Sequence, residues 1–149
     1  MQKILVPTLI AATVASLASV AQAAEPESSL SFNAGVVSDY RYRGISQSRL
    51  EPALQGGVDY AHKSGFYVGA WGSTIKWIKD TPGVTKGSVE VDLYGGYKGA
   101  VGDVAYDVGF LRYEYVKNNL ANNTGYTNAN TNEVYGAVTY GLFTAKYSH

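Results

Sequence analysis

The strict alternation of side-chain character that begins at Leu30 constrains the fold of this chain more than any other feature. Successive side chains of a β-strand point to opposite faces of its sheet, so a period of two indicates a strand. The residues with even numbers form an apolar face that ends in tyrosines: Leu30, Phe32, Ala34, Val36, Ser38, Tyr40 and Tyr42. The residues with odd numbers form a polar face that ends in charges: Ser31, Asn33, Gly35, Val37, Asp39, Arg41 and Arg43. The segment predicts a strand that separates two different environments.

Similar runs follow along the chain and predict further strands. They are residues 53–61, 66–74, 88–97, 104–115, 133–140 and 143–147, which brings the total to about seven. The facing of residues 66–74 is ambiguous, because the alternating set that begins at Phe66 competes with Tyr67 and Trp71. In residues 104–115 the phase slips at Arg112 and Glu114, which predicts a bulge near Leu111.

The connections between the predicted strands alternate between long and short. The long ones are residues 44–52, 75–87 and 116–131, and the short ones are residues 62–65, 98–103 and 141–142. Outer-membrane barrels have short periplasmic turns, long outer loops and strands of about 9–11 residues. If the chain enters from the periplasm at Leu30, every long loop falls outside. The predicted fold class is therefore all-β, an antiparallel up-and-down transmembrane β-barrel.

The loop around residues 118–132 is too polar to be ordered by burial.

Export from the cytoplasm is predicted by the first 23 residues. Lys3 precedes an apolar stretch from Ile4 to Val20, and Ala21-Gln22-Ala23 places small residues at the two positions that signal peptidase recognises. We expect residues 1–23 to be a cleaved signal peptide and residues 24–149 to be a barrel domain located in the outer membrane. No later segment has the run of about 18 apolar residues that a transmembrane helix needs. The chain also has no cysteine, so disulfides do not stabilise it.

Aromatic residues suggest a second feature of membrane barrels. The chain contains 13 Tyr and only 16% charged residues, against about 25% in typical globular proteins. Tyrosine and tryptophan rings favour the level of the lipid headgroups. The predicted interface aromatics are Tyr40, Tyr42, Trp77 and Tyr97.

Charged residues on the polar faces of the strands form the candidate functional cluster. The first strand contributes Asp39, Arg41 and Arg43, and the other strands contribute Asp59, Glu90, Asp92, Asp107 and Glu133. One interpretation is an ion-pair network in the lumen that fixes the strand register, because charges removed from water need partners. The other is a pore constriction that orients a polar solute by its field.

The sequence does not predict an enzyme. Its histidines are His62, in a tight turn, and His149, and no base converges with a nucleophile. Metal-ligand motifs are missing too, so no metal or cofactor is expected. Twelve basic residues balance twelve acidic ones, whereas nucleic-acid binding requires a basic excess.

The segment Ser38-Asp39-Tyr40-Arg41-Tyr42-Arg43-Gly44-Ile45-Ser46-Gln47 resembles the N-terminal signature of a proteobacterial family of conserved hypothetical proteins, the Gcw_chp type. Residues 89–97 and 106–109 are similar to the same family. The resemblance spans nearly all of the chain beyond the signal peptide. It implies an outer-membrane β-barrel and no particular activity. Within the motif, Gly44 is expected in the turn out of the first strand, where glycine readily adopts a positive φ or forms a bulge. Ser46 and Gln47 are expected to cap loop hydrogen bonds.

The last strand of the sequence predicts an incomplete barrel. Bacterial barrels have an even number of strands, at least eight, and open edges in lipid are very costly. About seven strands are present and no terminal aromatic residue follows, so we expect a C-terminally truncated sequence. The alternative is a short protein that closes its sheet by oligomerising or in solution.

Two functions fit these patterns. The first is an outer-membrane barrel, either structural or a porin-like channel for small polar solutes, with membrane lipid as its surroundings. The alternative is a soluble periplasmic β-barrel that binds an apolar small molecule. Alternation alone does not separate the two, because both have two-faced strands.

Overall fold

The computed structural model describes residues 27–122 and 125–149. The predicted signal peptide lies outside these residues. Seven strands form one antiparallel sheet, in which each strand is hydrogen-bonded to the next in the following order. They are β1 (Ser28–Val37), β4 (Ala53–His62), β5 (Phe66–Thr74), β6 (Val89–Val101), β7 (Val104–Tyr115), β8 (Thr131–Tyr140) and β9 (Phe143–Ser148). Two short strands, β2 (Arg41–Tyr42) and β3 (Ile45–Ser46), pair separately as a hairpin. The all-β antiparallel prediction is confirmed, although the sheet is not closed into a barrel.

The register gives the sheet one apolar and one polar face. Leu30 pairs with Tyr60, and Ser31 pairs with Asp59, so each row across the strands keeps one character. The ambiguity in residues 66–74 is resolved, because Phe66 pairs with Tyr97 on the apolar face and Trp71 pairs with Asp92 on the polar face. Every strand of the sheet contributes exposed residues to the apolar face, among them Leu30, Phe32, Leu54, Val68, Leu93, Val108, Phe110, Val134 and Phe143.

Long and short connections lie at opposite ends of the sheet. We call the end with segments 38–52, 75–88 and 116–130 the loop end, and the end with segments 63–65, 102–103 and 141–142 the turn end. The turn after β6 is shorter than predicted, because β6 continues to Val101 and Gly102-Asp103 alone reverse the chain. Gly102 has a φ of 58°, which glycine adopts without a steric penalty.

The predicted bulge near Leu111 is wrong. The register of β7 with both neighbours is unbroken, and Arg112 pairs directly with Leu93 and Asn132 on the apolar face. Arg112 and Glu114 lie at the loop end of that face, where Arg112 Nη2 contacts Glu114 Oε2 at 2.8 Å. The alternation of side chains between the two faces continues through these positions. The apolar face becomes polar at its loop end.

The first strand also differs from its prediction, because it ends at Val37 and does not extend to Arg43. The chain then reverses through Arg43 and Gly44, whose φ angles are 48° and 84°. Two successive positive φ values are what a two-residue type I′ hairpin turn requires. The expectation for Gly44 is confirmed, and the alternating pattern of residues 38–43 belongs to the hairpin segment.

The buried core lies in the loops at the loop end. Ile75, Ile78, Val84 and Leu120 form a cluster against which Trp77 packs. Asparagine side chains order the polar loop: Asn118 Nδ2 donates to Asn130 Oδ1 at 2.9 Å, and Asn119 Oδ1 accepts from the Lys86 amide at 3.1 Å. Hydrogen bonds and the burial of Leu120 therefore order residues 118–120 and Asn130, although the composition of this loop did not predict burial. Among the described residues, helices of the length and hydrophobicity needed to span a membrane are absent.

Candidate functional site

The hairpin segment, residues 38–48, lies across the polar face of the sheet. The Tyr40 ring packs edge-on against Trp71 of β5 at 5.4 Å between centroids. Its hydroxyl donates to Glu90 Oε1 of β6 at 3.3 Å. Burial, followed by the nearby Glu90 charge, raises the pKa of Tyr40. The Tyr40 hydroxyl therefore stays protonated and remains a hydrogen-bond donor.

The tip of the hairpin segment reaches two strands further. The Tyr42 and Tyr113 hydroxyls are 3.3 Å apart, and their rings pack edge to face. Arg43 Nη2 lies 3.8 Å from Glu133 Oε2 of β8. Because Tyr113 belongs to β7, the hairpin segment contacts four successive strands of the sheet, from β5 to β8.

Asp39 organises the base of the hairpin segment. Its carboxylate accepts hydrogen bonds from the hydroxyls of Ser46 and Ser48, and its Oδ2 lies 2.6 Å from Arg41 Nε. The Ser46 hydroxyl, followed by Ser48 and Arg41, holds the pKa of the Asp39 carboxyl below its usual value. The Ser46 oxygen also accepts from the Leu50 amide at 2.9 Å. This explains the spacing of the Ser-Asp-Tyr and Gly-Ile-Ser elements of the motif.

Gln47 joins the hairpin segment to the next loop. Its amide donates to the Tyr40 carbonyl at 2.7 Å, and its carbonyl accepts from the amides of Lys76 and Trp77 at 2.9 and 3.2 Å. Ser48 beside it is 2% exposed. The hairpin segment is therefore fixed at its tip by the sheet and at its base by the loop core.

The five acidic residues predicted for the strands all lie on the polar face. Each of them pairs across the sheet with another residue of that face. Tyrosine hydroxyls hold three of them: Tyr94 donates to Asp59, Tyr67 to Asp107, and Tyr40 to Glu90. The Oδ2 atom of Asp107 also lies 4.0 Å from the Nζ atom of Lys98.

The three cluster residues predicted for the first strand are placed differently from their prediction. Asp39, Arg41 and Arg43 belong to the hairpin segment and not to the first strand, because that strand ends at Val37. Arg41 pairs with its neighbour Asp39, so Arg43 alone of the three reaches an acidic residue of the sheet, Glu133. The charged residues predicted for the end of the first strand therefore belong to a hairpin segment that lies over the carboxylates and phenols of the polar face.

Two carboxylates lie beneath the hairpin segment. Glu90 is 2% exposed, and Asp92 is its neighbour on the same face of β6. Neither Glu90 Oε2 nor Asp92 Oδ1 has a hydrogen-bond partner among the described residues. Within the same residues, no group of three or more potential metal ligands occurs.

An open cleft of about 450 Å³ lies beside the hairpin tip. It is lined by Tyr42, Arg43, Tyr113, Glu133, Lys146 and Ser148. The Lys146 ammonium lies over the Tyr135 ring, 4.2 Å from its centroid. Both signs of charge therefore face one polar cleft, an arrangement that can orient a dipolar or charged solute.

The predicted interface aromatics separate into three places. Tyr40 and Tyr42 lie on the polar-face side, contrary to the alternation, because they belong to the hairpin segment. Trp77 packs in the loop core against Tyr115, with ring centroids 5.5 Å apart. Tyr97 lies on the apolar face against Phe66, with centroids 4.9 Å apart.

The structure places Tyr97 in an aromatic band whose other members the sequence analysis did not name as interface aromatics. Apolar-face aromatic residues lie within a few positions of each short turn: Tyr60, Phe66, Tyr97, Tyr106, Tyr140 and Phe143. The sequence could have indicated this band, because an aromatic residue occupies an apolar-face position close to every short turn. These residues form a band at the turn end.

A single antiparallel meander with one apolar and one polar face, crossed by a hairpin, defines the class of this molecule as an all-β, two-faced sheet protein. The family model described as "Bacterial protein of unknown function (Gcw_chp)" matches residues 21–149. The chain therefore belongs to the Gcw_chp family, which confirms the resemblance seen in its motifs. The outer-membrane location that the resemblance implied stays a prediction. Searches of curated proteins and of solved structures gave no significant match.

Proposed function

We propose that this protein is a β-barrel protein of the bacterial outer membrane, with its apolar face in lipid and its polar face towards an interior. The exposed apolar face carries this proposal: Phe32 is 74% exposed and Phe110 is 45% exposed. In water, an apolar patch that spans seven strands would drive association. Hydrocarbon removes that penalty, and within the sheet the backbone polar groups are paired except along the outer edges of β1 and β9.

The distribution of charge and aromatic residues supports the same orientation. Among the described strand residues, the Asp, Glu, Lys and Arg side chains of the apolar face are limited to Arg112 and Glu114, which pair with each other at the loop end. The aromatic band occupies the turn end. An apolar zone bounded by aromatic and polar side chains matches the cross-section of a bilayer.

Closure of the sheet sets a condition on such a barrel. Strands β1 and β9 each have one free edge among the described residues, and the meander order makes them run in the same direction. An antiparallel barrel therefore needs an odd number of further strands between these two edges.

The hairpin segment defines the proposed role, which is passage of small polar solutes past a constriction. Arg43 and Glu133 present opposite charges to the cleft beside the hairpin tip. A soluble barrel that binds an apolar molecule would need the apolar face inside. The hairpin segment lies over the opposite face, which argues against that alternative.

Cysteine labelling tests the orientation, because the chain has no native cysteine. Val138 faces the apolar side and Ala137 the polar side at the same depth of β8. In membranes of cells that express the protein, we expect Ala137→Cys to react with a membrane-impermeant maleimide and Val138→Cys to react only with an apolar maleimide. Equal reaction of both with the impermeant reagent, or recovery of the protein in the soluble periplasmic fraction, would reject the membrane location.

Planar-bilayer conductance tests the solute role. We expect single channels from the wild-type chain, and a shift of the reversal potential towards cation selectivity in Arg43→Gln. Lys63→Gln is the matched control, since Lys63 lies at the turn end and pairs with Glu27. A membrane-inserted protein without channels, or identical selectivity in all three proteins, would reject passage past Arg43.

A further inference from the structure

The loop end carries a basic charge that the rest of the chain balances. Its three segments contain seven basic residues, Arg41, Arg43, Arg49, Lys76, Lys79, Lys86 and Lys117, and three acidic ones, Asp39, Glu51 and Asp80. The complete chain has twelve of each sign. Charge is therefore polarised along the strand direction, with positive charge at the loop end.

Ion pairs neutralise only part of this charge. Arg41 pairs with Asp39 and Lys76 with Glu51. Lys79, Lys86 and Lys117 are exposed, and they form no ion pair with any of the described residues. These three ammonium groups remain available to an external anion.

The three lysines gather around two adjoining clefts. One cleft, of about 430 Å³, is lined by Lys79, Lys86, Lys117, Ser88, Val89 and Val116. The other, of about 280 Å³, shares Lys79, Ser88 and Val89 with it and adds Lys76 and Asp80. The larger cleft has three lysines and no acidic residue among the described residues that line it.

The position of the larger cleft indicates its occupant. Val89 pairs with Thr74 at the loop end of the apolar face, and the Val116 amide donates to the Val89 carbonyl at 2.9 Å. The cleft therefore opens where the apolar face ends. A molecule with one anionic group and apolar chains could place its charge among the lysines and its chains along the strands.

We propose that this lysine cleft binds the phosphate of an anionic lipid headgroup in the leaflet at the loop end. Lysine ammonium groups bind phosphate as point charges, and the Ser88 hydroxyl adds a donor. The inference rests on the proposed membrane location, because the acyl chains must lie beside the apolar face. It adds a lipid site on the outside of the sheet, separate from the polar cleft beside Arg43.

Native mass spectrometry of the full chain, folded in a zwitterionic detergent, tests the site. Phosphatidylglycerol and phosphatidylcholine are offered together in equal amounts. We expect retention of phosphatidylglycerol by the wild type. Each lysine near an anionic lipid surface contributes about a fivefold preference, so Lys79→Gln/Lys86→Gln/Lys117→Gln should lower the preference roughly 100-fold at low salt. The preference should also weaken in high salt, since the site is exposed.

Two controls separate the possible outcomes. Lys63→Gln removes one positive charge, as Lys86→Gln does, but at the turn end of the sheet. It should leave the preference for phosphatidylglycerol unchanged. An excess of inorganic phosphate should displace little lipid if the acyl chains contribute, whereas full displacement would identify a free-phosphate site and overturn the lipid proposal. Equal retention of both lipids by the wild type would also overturn it. The same holds if the wild type and the triple variant prefer phosphatidylglycerol to the same extent. A protein that passes the cysteine-labelling test but shows no preference for phosphatidylglycerol would overturn the lipid site alone, which distinguishes failure of the site from failure of the membrane location.

Discussion

The hydroxyl groups of Tyr67 and Tyr135 are hydrogen-bonded to each other, although the two residues lie on β5 and β8 with two strands between them. The register places Gly96 and Gly109 between them in one row across the sheet. A Cβ atom at either glycine would lie 2.5 Å from the hydroxyl oxygen of the adjacent tyrosine. The glycines provide the space in which the two side chains lie along the sheet and meet.

Gly109→Ala should therefore destabilise the protein. The added methyl group would overlap the Tyr135 hydroxyl and approach the Gly95 carbonyl, and overpacking of this kind costs about 1–3 kcal/mol. Gly136→Ala is the matched control, because its Cβ would meet nothing within 4 Å. Urea unfolding in detergent micelles measures both variants. Equal unfolding midpoints for the two would show that Tyr135 does not depend on this space.

Tyr67→Phe should also be destabilising, for a different reason. The Tyr67 hydroxyl donates to Asp107 Oδ1 at 2.6 Å and accepts from Tyr135. Removing it leaves both partners less satisfied, at a cost of about 1–3 kcal/mol. Tyr97→Phe is the control, since the Tyr97 ring lies on the apolar face against Phe66 and Tyr106. The same unfolding assay applies, and a smaller loss in Tyr67→Phe than in Tyr97→Phe would contradict the role of the hydroxyl.

Local periodicity was sufficient to predict the strands, because each strand faces two environments and alternation records them directly. It failed where the chain leaves the sheet while its pattern continues. Residues 38–43 alternate as β1 does, yet Asp39 is held by Ser46 and Ser48, which follow it by seven and nine residues. Contacts of that kind depend on a turn at Arg43 and Gly44 that two-residue periodicity does not encode.

The candidate site was harder to predict than the fold, because its partners come from distant strands. The acidic residues were placed on the polar face by alternation, but their tyrosine partners were not identified. Tyr94, for example, reaches Asp59 across Gly69 of the strand between them. Tyrosine was interpreted as a marker of the lipid interface, whereas several tyrosines bridge strands on the polar face. The number of residues between a glycine and the tyrosine that covers it depends on how the strands pair. A local sequence pattern does not contain that information.

Acid should weaken the hairpin segment through Asp39. The pKa of this carboxyl is lower in the folded protein than in the unfolded chain. The folded state therefore binds its proton less readily, and the stabilisation is present above the unfolded pKa of about 4 and is lost as the pH falls through the folded value. We expect the wild type to exceed Asp39→Asn in unfolding midpoint near neutral pH and to converge with it in strong acid. Ser46→Ala, which removes the main donor, should reduce this pH dependence. A gap between wild type and Asp39→Asn that is constant with pH would contradict the assignment.

A charge introduced at one depth should hinder insertion into lipid on the apolar face and be tolerated on the polar face. Val138→Arg places a guanidinium on the apolar face, opposite Tyr106 and Ala145. On the lipid side of a barrel this costs about 2–4 kcal/mol at the midplane and less towards the interface. Ala137→Arg places the same group on the polar face, between Asp107 and Lys146, where the Asp107 carboxylate is available to pair with it. Folding yield in phosphatidylcholine vesicles, measured by the mobility of unheated samples on gels, should fall for Val138→Arg and remain near wild type for Ala137→Arg. Equal folding yields for the two variants, or a wild type that folds as well without vesicles, would contradict an apolar face that meets lipid.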